Sequence, residues 1–265
     1  MKKIVVIGGT GLIGSKVVAL LDERGHQTIA AAPDTGVNTI TGEGLYDALD
    51  GADVVIDASN SPSLDGREAK RFFLTSGSNL LDTEKAVGVR HHVALSVVGT
   101  ERLQDSGYFQ AKLAQESLIA ASAIPHTLVR ATQFFEFLRR IADDATRGAE
   151  VRLPHALFQP MAAQDVAFAL VQAALDEPTG GMIEVAGPQS YFMDELVAHV
   201  LEHDGDKRAV VSSADAPYFS VRLNEASLMP GGNARLGTTT FEKWLSSAPL
   251  PRSVPPLVTI PGARA

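Results

Sequence analysis

Apolar and polar positions in the first half of this chain alternate between two periods. Lys3 to Ile7 is a short apolar run rich in β-branched residues, which predicts a strand buried on both faces. Leu12 to Arg24 follows with Ile13, Val17 and Leu20 on one helical face, and Gly25 stops it. The pair of signals then recurs. Gln27 to Ala32 reads as a strand, and a short helix around Leu45 to Leu49 precedes the strand Asp53 to Ala58. Gly66 to Val89 is helical in pattern, with Gly77 marking a point of interruption. Val93 to Ser96 is the next strand, Tyr108 to about Ser122 the next helix, His126 to Arg130 a strand opened by Pro125, and Phe134 to Arg147 a helix. Strands alternating with helices predict an α/β fold, a doubly wound parallel sheet covered on both faces.

From Gly148 the alternation loosens. Glu150 to Leu153 and Met182 to Ala186 read as short strands, Gln164 to Leu175 and Tyr191 to His203 as helices. Val210 to Met229 fits no single pattern, with a helix near Tyr218 to Leu223 as the reading offered, and Phe241 to Ser246 forms the last turn. The expected organisation is therefore a nucleotide-type α/β domain over 1–148, extended by later strands, and a small α+β substrate region over 149–250. A proline-rich tail from Pro251 to Ala265 is expected to be loose or draped on the surface.

The first glycines change this picture from fold to chemistry. Gly8, Gly11 and Gly14 are spaced G-x-x-G-x-x-G directly after the first strand and open the first helix. Gly8 permits a sharp turn, Gly11 lets a pyrophosphate approach the backbone, and Gly14 lets helix pack close to strand. Backbone N–H groups over Thr10, Leu12 and Ile13, with the positive end of the helix dipole, then face the anion. The end of the second strand is where such a fold reads the adenine ribose. Ala32 holds the reader's place and Asp34 lies just beyond it. No Lys or Arg occurs between His26 and Gly66. An aspartate accepts bonds from a ribose diol and repels a 2′-phosphate, so the loop leans to NAD over NADP. Thr35 and turn N–H groups offer a phosphate an alternative hold. Ala58, Ser59 and Asn60 leave the third strand at its carboxyl end, where ligands sit, and Thr132, Gln133 and Phe134 occupy the next crevice loop.

Composition narrows the classes. The chain has 265 residues, 45% of them hydrophobic, a net charge of −8 and no cysteine. The charge argues against nucleic acid, the missing cysteine excludes disulfide and thiolate chemistry, and no apolar stretch approaches a membrane span. A cytoplasmic monomer or homodimer acting on a small molecule is expected. His91 and His92 are adjacent in or before a strand, point to opposite faces and cannot easily share a metal. They read as surface histidines, and no metal site is expected.

Ser96 ends a strand, and Tyr108 and Lys112 follow twelve residues later as Tyr-x-x-x-Lys on one helical face. With GGTGLIG, this constellation resembles the short-chain dehydrogenase/reductase superfamily. TLVRATQFF and QPMAAQDVAFAL make it most similar to the atypical, NmrA-like branch. The resemblance implies a Rossmann fold and an NAD(P)(H) cofactor. It gives Tyr108 the role of proton donor or acceptor to a carbonyl that exchanges hydride with nicotinamide. Lys112 would bond the nicotinamide ribose and lower the tyrosine pKa, and Ser96 would orient the substrate carbonyl. Val97 stands where relatives often have a second Ser, which makes Thr100 the reserve for Ser96, and Ala131 stands where they often have Pro. Arg130, at a strand end, could contact the cofactor or pair with Glu136 and is left outside the site, and Asp165 is read as a helix-terminus charge. The resemblance leaves three functions open. They are an oxidoreductase acting on a small carbonyl or quinone, a non-catalytic dinucleotide sensor of NmrA type, and a sugar-nucleotide epimerase. The retained tyrosine favours the first, because such sensors commonly lack it.

Overall fold

The computed structural model describes residues 1–248, so the expected tail from Pro251 to Ala265 lies outside the described residues. The chain runs β1 (Lys3–Ile7), α1 (Gly14–Glu23), β2 (Gln27–Ala31), α2 (Leu45–Leu49), β3 (Val54–Asp57), α3 (Gly66–Val87), β4 (His91–Val97), α4 (Gly107–Ala120) and β5 (His126–Ala131). There follow α5 (Leu138–Asp144), β6 (Thr146–Arg147), β7 (Glu150–Leu153), β8 (Leu157–Phe158), α6 (Ala163–Leu175) and β9 (Gly181–Ala186). The last are β10 (Tyr191–Phe192), α7 (Met193–His203), β11 (Ala209–Ser212), β12 (Arg235–Leu236) and α8 (Phe241–Ser247).

Seven strands form one sheet in the order β12-β9-β5-β4-β3-β1-β2, every pair parallel. The chain leaves β1 toward β2 on one side and returns to β3 on the other. The strand order reverses there, which opens a crevice at the carboxyl ends of β1 and β3. Period-two alternation sorts the strand side chains onto two layers. Ile4, Val6, Ile56, Val93 and Val129 pack under α1 and α6 against Val17, Leu21, Val166 and Leu170. Val5 and Val55 face Leu45, Leu49 and Leu80 of α2 and α3, while Ala94 and Leu128 face Ile119 of α4. A third core joins α4, through Tyr108 and Phe109, to α5, α7, α8 and the small sheet β11-β7-β6. The second half thus contributes β9 and β12 to the main sheet and builds a separate cluster beside it.

Several sequence expectations change. His91 and His92 are not surface residues. They begin β4 and are buried, with His91 Nε2 3.0 Å from Thr127 Oγ1 and His92 Nδ1 2.8 Å from Glu84 Oε1. α3 runs through Gly77 without a break, and the bare glycine leaves room for the Leu118 side chain of α4, which a β-carbon there would meet at 3.0 Å. The helix expected over Phe134 to Arg147 is a 3-10 turn, the helix α5 and a short strand. No helix forms near Tyr218 to Leu223. Tyr218 and Val221 exchange backbone hydrogen bonds of 2.8 and 3.0 Å around a tight turn at Phe219 and Ser220. Among the described residues no helix is long and apolar enough to cross a membrane.

Candidate functional site

The β1–α1 loop is shaped by backbone contacts. Gly8 takes φ +72° and donates its N–H to Ala31 O at 2.8 Å, tying the loop to the end of β2. Gly11 N–H closes the turn on Gly8 O at 3.0 Å. A β-carbon on Gly14 would stand 2.1 Å from Gly8 O, so this glycine is required by the loop itself rather than by the strand. Gly9 has a place the motif spacing does not assign: its α-carbon lies against β2, where a β-carbon would meet Ala30 at 2.6 Å. The N–H groups of Leu12, Ile13 and Gly14 have no backbone acceptor among the described residues. They are free to serve an anion at the helix N-terminus.

Thr10 Oγ1 donates to Asp34 Oδ1 at 3.0 Å, so the ribose-side carboxylate is pinned across the glycine loop. Asp34 is exposed in the 3-10 turn Pro33–Thr35 directly after β2. Thr35 Oγ1 is already occupied, bonding Ala30 O and Ala32 O and accepting from Ala32 N.

Beyond β3 the polar residues interlock. Asp57 is buried, and its Oδ1 accepts Ser59 N–H at 3.0 Å and Ser59 Oγ at 2.6 Å. Asn60 Oδ1 accepts the Tyr108 hydroxyl at 2.9 Å. Ala58 carries the backbone under Gly8, 3.1 Å from where a β-carbon would sit. From α4, Lys112 Nζ donates to Leu95 O at 2.9 Å and Gln115 Oε1 at 2.5 Å, and lies 4.5 Å above the Phe73 ring. Gln115 Nε2 in turn donates to Asp57 Oδ2 at 3.0 Å. Asp57 therefore anchors both halves: Ser59 on the loop, and Lys112 through Gln115. Burial lowers the Lys112 ammonium to about 8, with the charges of Asp57 and Glu116 resisting the fall. Burial pushes the Tyr108 phenol up to about 12. The Tyr108 ring is held edge-on by Phe73 and Phe109, with centroids 6.3 and 5.8 Å away, and is tilted against Phe219 at 5.5 Å.

Tyr108 is thus tied to Asn60 of the loop after β3, and Lys112 through Gln115 to Asp57 at the end of β3, whereas Ser96 joins neither link. Ser96 Oγ donates to Glu116 Oε1 at 2.5 Å within a buried ion pair, where Arg130 reaches Glu116 at 2.9 and 2.6 Å and also contacts Glu101. The reserve, Thr100, is fully buried with its hydroxyl on Val97 O at 2.6 Å. Arg130 pairs with Glu116 and Glu101 instead of Glu136, whose carboxylate caps α6 through Ala163 N–H and holds Trp244 Nε1. Asp165 lies in the first turn of α6 and also accepts from Thr238 and Thr239 N–H at 3.0 and 2.8 Å. Asp57 and Gln115 escaped the sequence reading. The available signals were a carboxylate ending an otherwise apolar strand and an amide three residues beyond Lys112.

Tyr108 also walls a cavity of about 690 Å³, lined by Leu64, Ile141, Leu153, Tyr218 and Phe219 and by the charged residues Asp65, Asp144, Asp215, Arg147 and Arg152. The lining comes from α4 on one side and from the 213–220 loop on the other.

Residues 1–221 match the sequence profile of the NmrA-like family. The chain belongs to that family. This NmrA-like chain is 27% identical over 149 residues to the photosystem II assembly factor Ycf39 of Cyanophora paradoxa, covering 51% of this chain and 46% of that protein. It is 23% identical over 150 residues to the factor of the same name from Synechocystis, again covering 51% and 46%. The match thus spans about half the length of these curated relatives. Among solved structures, MoeE5 in complex with UDP-glucose and NAD superposes with a TM-score of 0.70 at 19% identity, covering 92% of this chain and 96% of that one. A short-chain dehydrogenase/reductase superfamily protein from Agrobacterium tumefaciens with bound NAD gives 0.69 at 17%, covering 92% and 95%. These likenesses show a Rossmann-type fold.

Proposed function

We propose that this NmrA-like protein is an NAD(P)-dependent oxidoreductase acting on a small carbonyl or quinone. One observation carries the reading: Tyr108, whose hydroxyl bonds Asn60 of the loop after β3, also walls a cavity, one helix turn before a buried ammonium. The glycine loop suits a dinucleotide on its own geometry. Gly14 leaves no room for a β-carbon beside Gly8 O, and the N–H groups of Leu12, Ile13 and Gly14 at the start of α1 have no backbone acceptor among the described residues. Gly8, Thr10, Gly11, Leu12, Ile13 and Gly14 would hold the pyrophosphate, Asp34 the adenine ribose, and Ala58, Ser59, Asn60 and Lys112 the nicotinamide side. The bound cofactor supplies or accepts the hydride. Tyr108 gives its proton to the substrate oxygen or takes it back. A phenol that burial pushes up to about 12 stays protonated as a donor, and in this reading an ammonium on the same face of α4 would favour the phenolate left when the proton is transferred. Lys112 supplies that charge, and Asp57 with Gln115 holds it in place.

A second reading, a dinucleotide sensor, draws support from the same lysine. Its ammonium is already engaged by Leu95 O, Gln115 and the face of Phe73. A panel of carbonyls and quinones screened for NADH and NADPH oxidation separates the two. The oxidoreductase reading expects turnover that falls about 10²–10⁴-fold in Tyr108→Phe while dinucleotide affinity holds. A parent protein that binds dinucleotide yet is inert across the panel returns the function to the sensor, and an undiminished Tyr108→Phe removes Tyr108 from the chemistry.

A further inference from the structure

Two phenols line the cavity beside α4. The Tyr108 hydroxyl is bonded to Asn60, while Tyr218, only 8% exposed, shows no hydrogen bond from its hydroxyl among the described residues. The Tyr218 hydroxyl is not one of the enclosed unpaired polar atoms, so it opens to the cavity, where a ligand can meet it. The two phenols are close enough that ionised Tyr108 would repel ionised Tyr218, and burial also raises the Tyr218 pKa.

The backbone goes to some cost to present this side chain. Phe219 and Ser220 both adopt positive φ, +48° and +68°, although neither is glycine. Left-handed backbone is unfavourable for a residue with a β-carbon, and two in succession persist only where the surroundings impose them. The turn sets Phe219 5.5 Å from the Tyr108 ring and 5.9 Å from Phe109, with Tyr218 4.8 Å from Phe219. Meanwhile the small hydroxyls at the end of β4 are committed elsewhere, Ser96 to Glu116 and Thr100 to Val97 O.

We propose that Tyr218 contacts the substrate. Its hydroxyl donates a hydrogen bond to the same oxygen that Tyr108 protonates, in the orienting role that Ser96 is not placed to fill, and the substrate is a planar carbonyl compound lying against Phe219. This rests on the oxidoreductase reading. Tyr218 keeps its proton throughout, so the step moves only the proton of Tyr108.

The test uses the full chain saturated with oxidised dinucleotide, so that no turnover occurs, with 1,4-naphthoquinone as the probe in calorimetry. Tyr218→Phe preserves ring and packing. It should weaken naphthoquinone binding about 3- to 10-fold, the usual weight of one net hydrogen bond, with an unchanged melting midpoint. Ser96→Ala should bind it as the parent does. Equal affinity in parent and Tyr218→Phe overturns the assignment while leaving the oxidoreductase reading intact. If Ser96→Ala instead loses affinity, the orienting role returns to Ser96. A parent that binds dinucleotide but no naphthoquinone takes down the carbonyl reading and the Tyr218 assignment together.

Discussion

At the β1 side of the crevice, position is set by main chain: Gly8 N–H on Ala31 O, Gly11 N–H on Gly8 O, and Gly14 lying where a β-carbon would fall 2.1 Å from a carbonyl. At the β4–α4 side, position is set by side chains drawn from distant parts of the sequence. Asn60 holds Tyr108, Asp57 holds Lys112 through Gln115, and Phe73 and Phe219 frame the phenol from α3 and the 213–220 loop. The first construction is rigid and tolerates almost no substitution. The second is a network in which one member can be altered while the others adjust. The physical difference is that a backbone clash has no rotamer in which to escape, whereas a hydrogen-bonded side chain does.

The sharpest way to break this contrast is Gly14→Val. Two extra methyls and a β-carbon would be driven into Gly8, so the loop must rebuild. A stability loss of about 3 kcal/mol or more is expected, together with loss of dinucleotide binding. Gly11→Val should behave differently, because a β-carbon there meets only Gly8 O at 3.2 Å. It should stay folded and lose cofactor affinity by crowding the pyrophosphate. Thermal unfolding and calorimetry on both variants measure this directly. A Gly14→Val protein that melts like the parent would show that the loop is not held by that contact.

The same contrast explains what could be read from the amino acids. The parallel sheet and the glycine loop are local. Periodicity gives β1 and α1, and three glycines at fixed spacing imply the turn, so GGTGLIG led to the observed geometry. Tyr108 and Lys112 were visible because they lie four apart on one helix. Asp57 and Gln115 were not, since their link bridges 58 positions and exists only after β3 and α4 have packed. Ser96 shows the opposite error. Its position at a strand end suggested the crevice, yet its hydroxyl meets Glu116 of α4, a direction that strand position alone does not fix. His91 and His92 looked like surface residues by type. Partners contributed from other elements, Thr127 and Glu84, are what let them be buried. Positions 219 and 220 hold no glycine or asparagine to announce a left-handed turn, which is why this stretch fits no single pattern in the sequence.

A smaller effect sharpens the comparison at the point where side chain and backbone meet. Among the described residues, Asp34 is the charged group whose side chain is tied to the glycine loop, through Thr10. Its carboxylate would repel a 2′-phosphate, and the preceding loop offers no cation to offset it. Asp34→Ala should shift the ratio of NADH to NADPH affinity toward NADPH by about 5- to 10-fold, mainly by improving NADPH affinity. The gain should shrink at high salt, since the carboxylate is exposed and screened. Paired dissociation constants at low and high salt measure this, and an unchanged ratio would leave specificity to the turn's N–H groups.

The smallest expected effect separates the two constructions by pH. Backbone N–H donors do not titrate, but Lys112 does, with its ammonium brought down to about 8 by burial. Dinucleotide affinity should therefore weaken about 3- to 10-fold as pH rises through 8, because the cationic partner is lost while the pyrophosphate cradle is unchanged. Lys112→Met should bind more weakly than the parent at pH 7 and show a flat profile. Stability of the ligand-free protein should move the other way. The unfolded lysine keeps its proton up to about 10.4, so between about 8 and 10 the unfolded chain binds more protons and folding grows more favourable with pH. Above about 10 the trend reverses, because unfolded tyrosines ionise while Tyr108 is held near 12. Opposite slopes for affinity and stability across one pH window, both abolished in Lys112→Met, would tie the two measurements to a single buried ammonium. A slope in affinity that survives Lys112→Met would place the titrating group elsewhere and leave the lysine as a structural tether between α4 and β4.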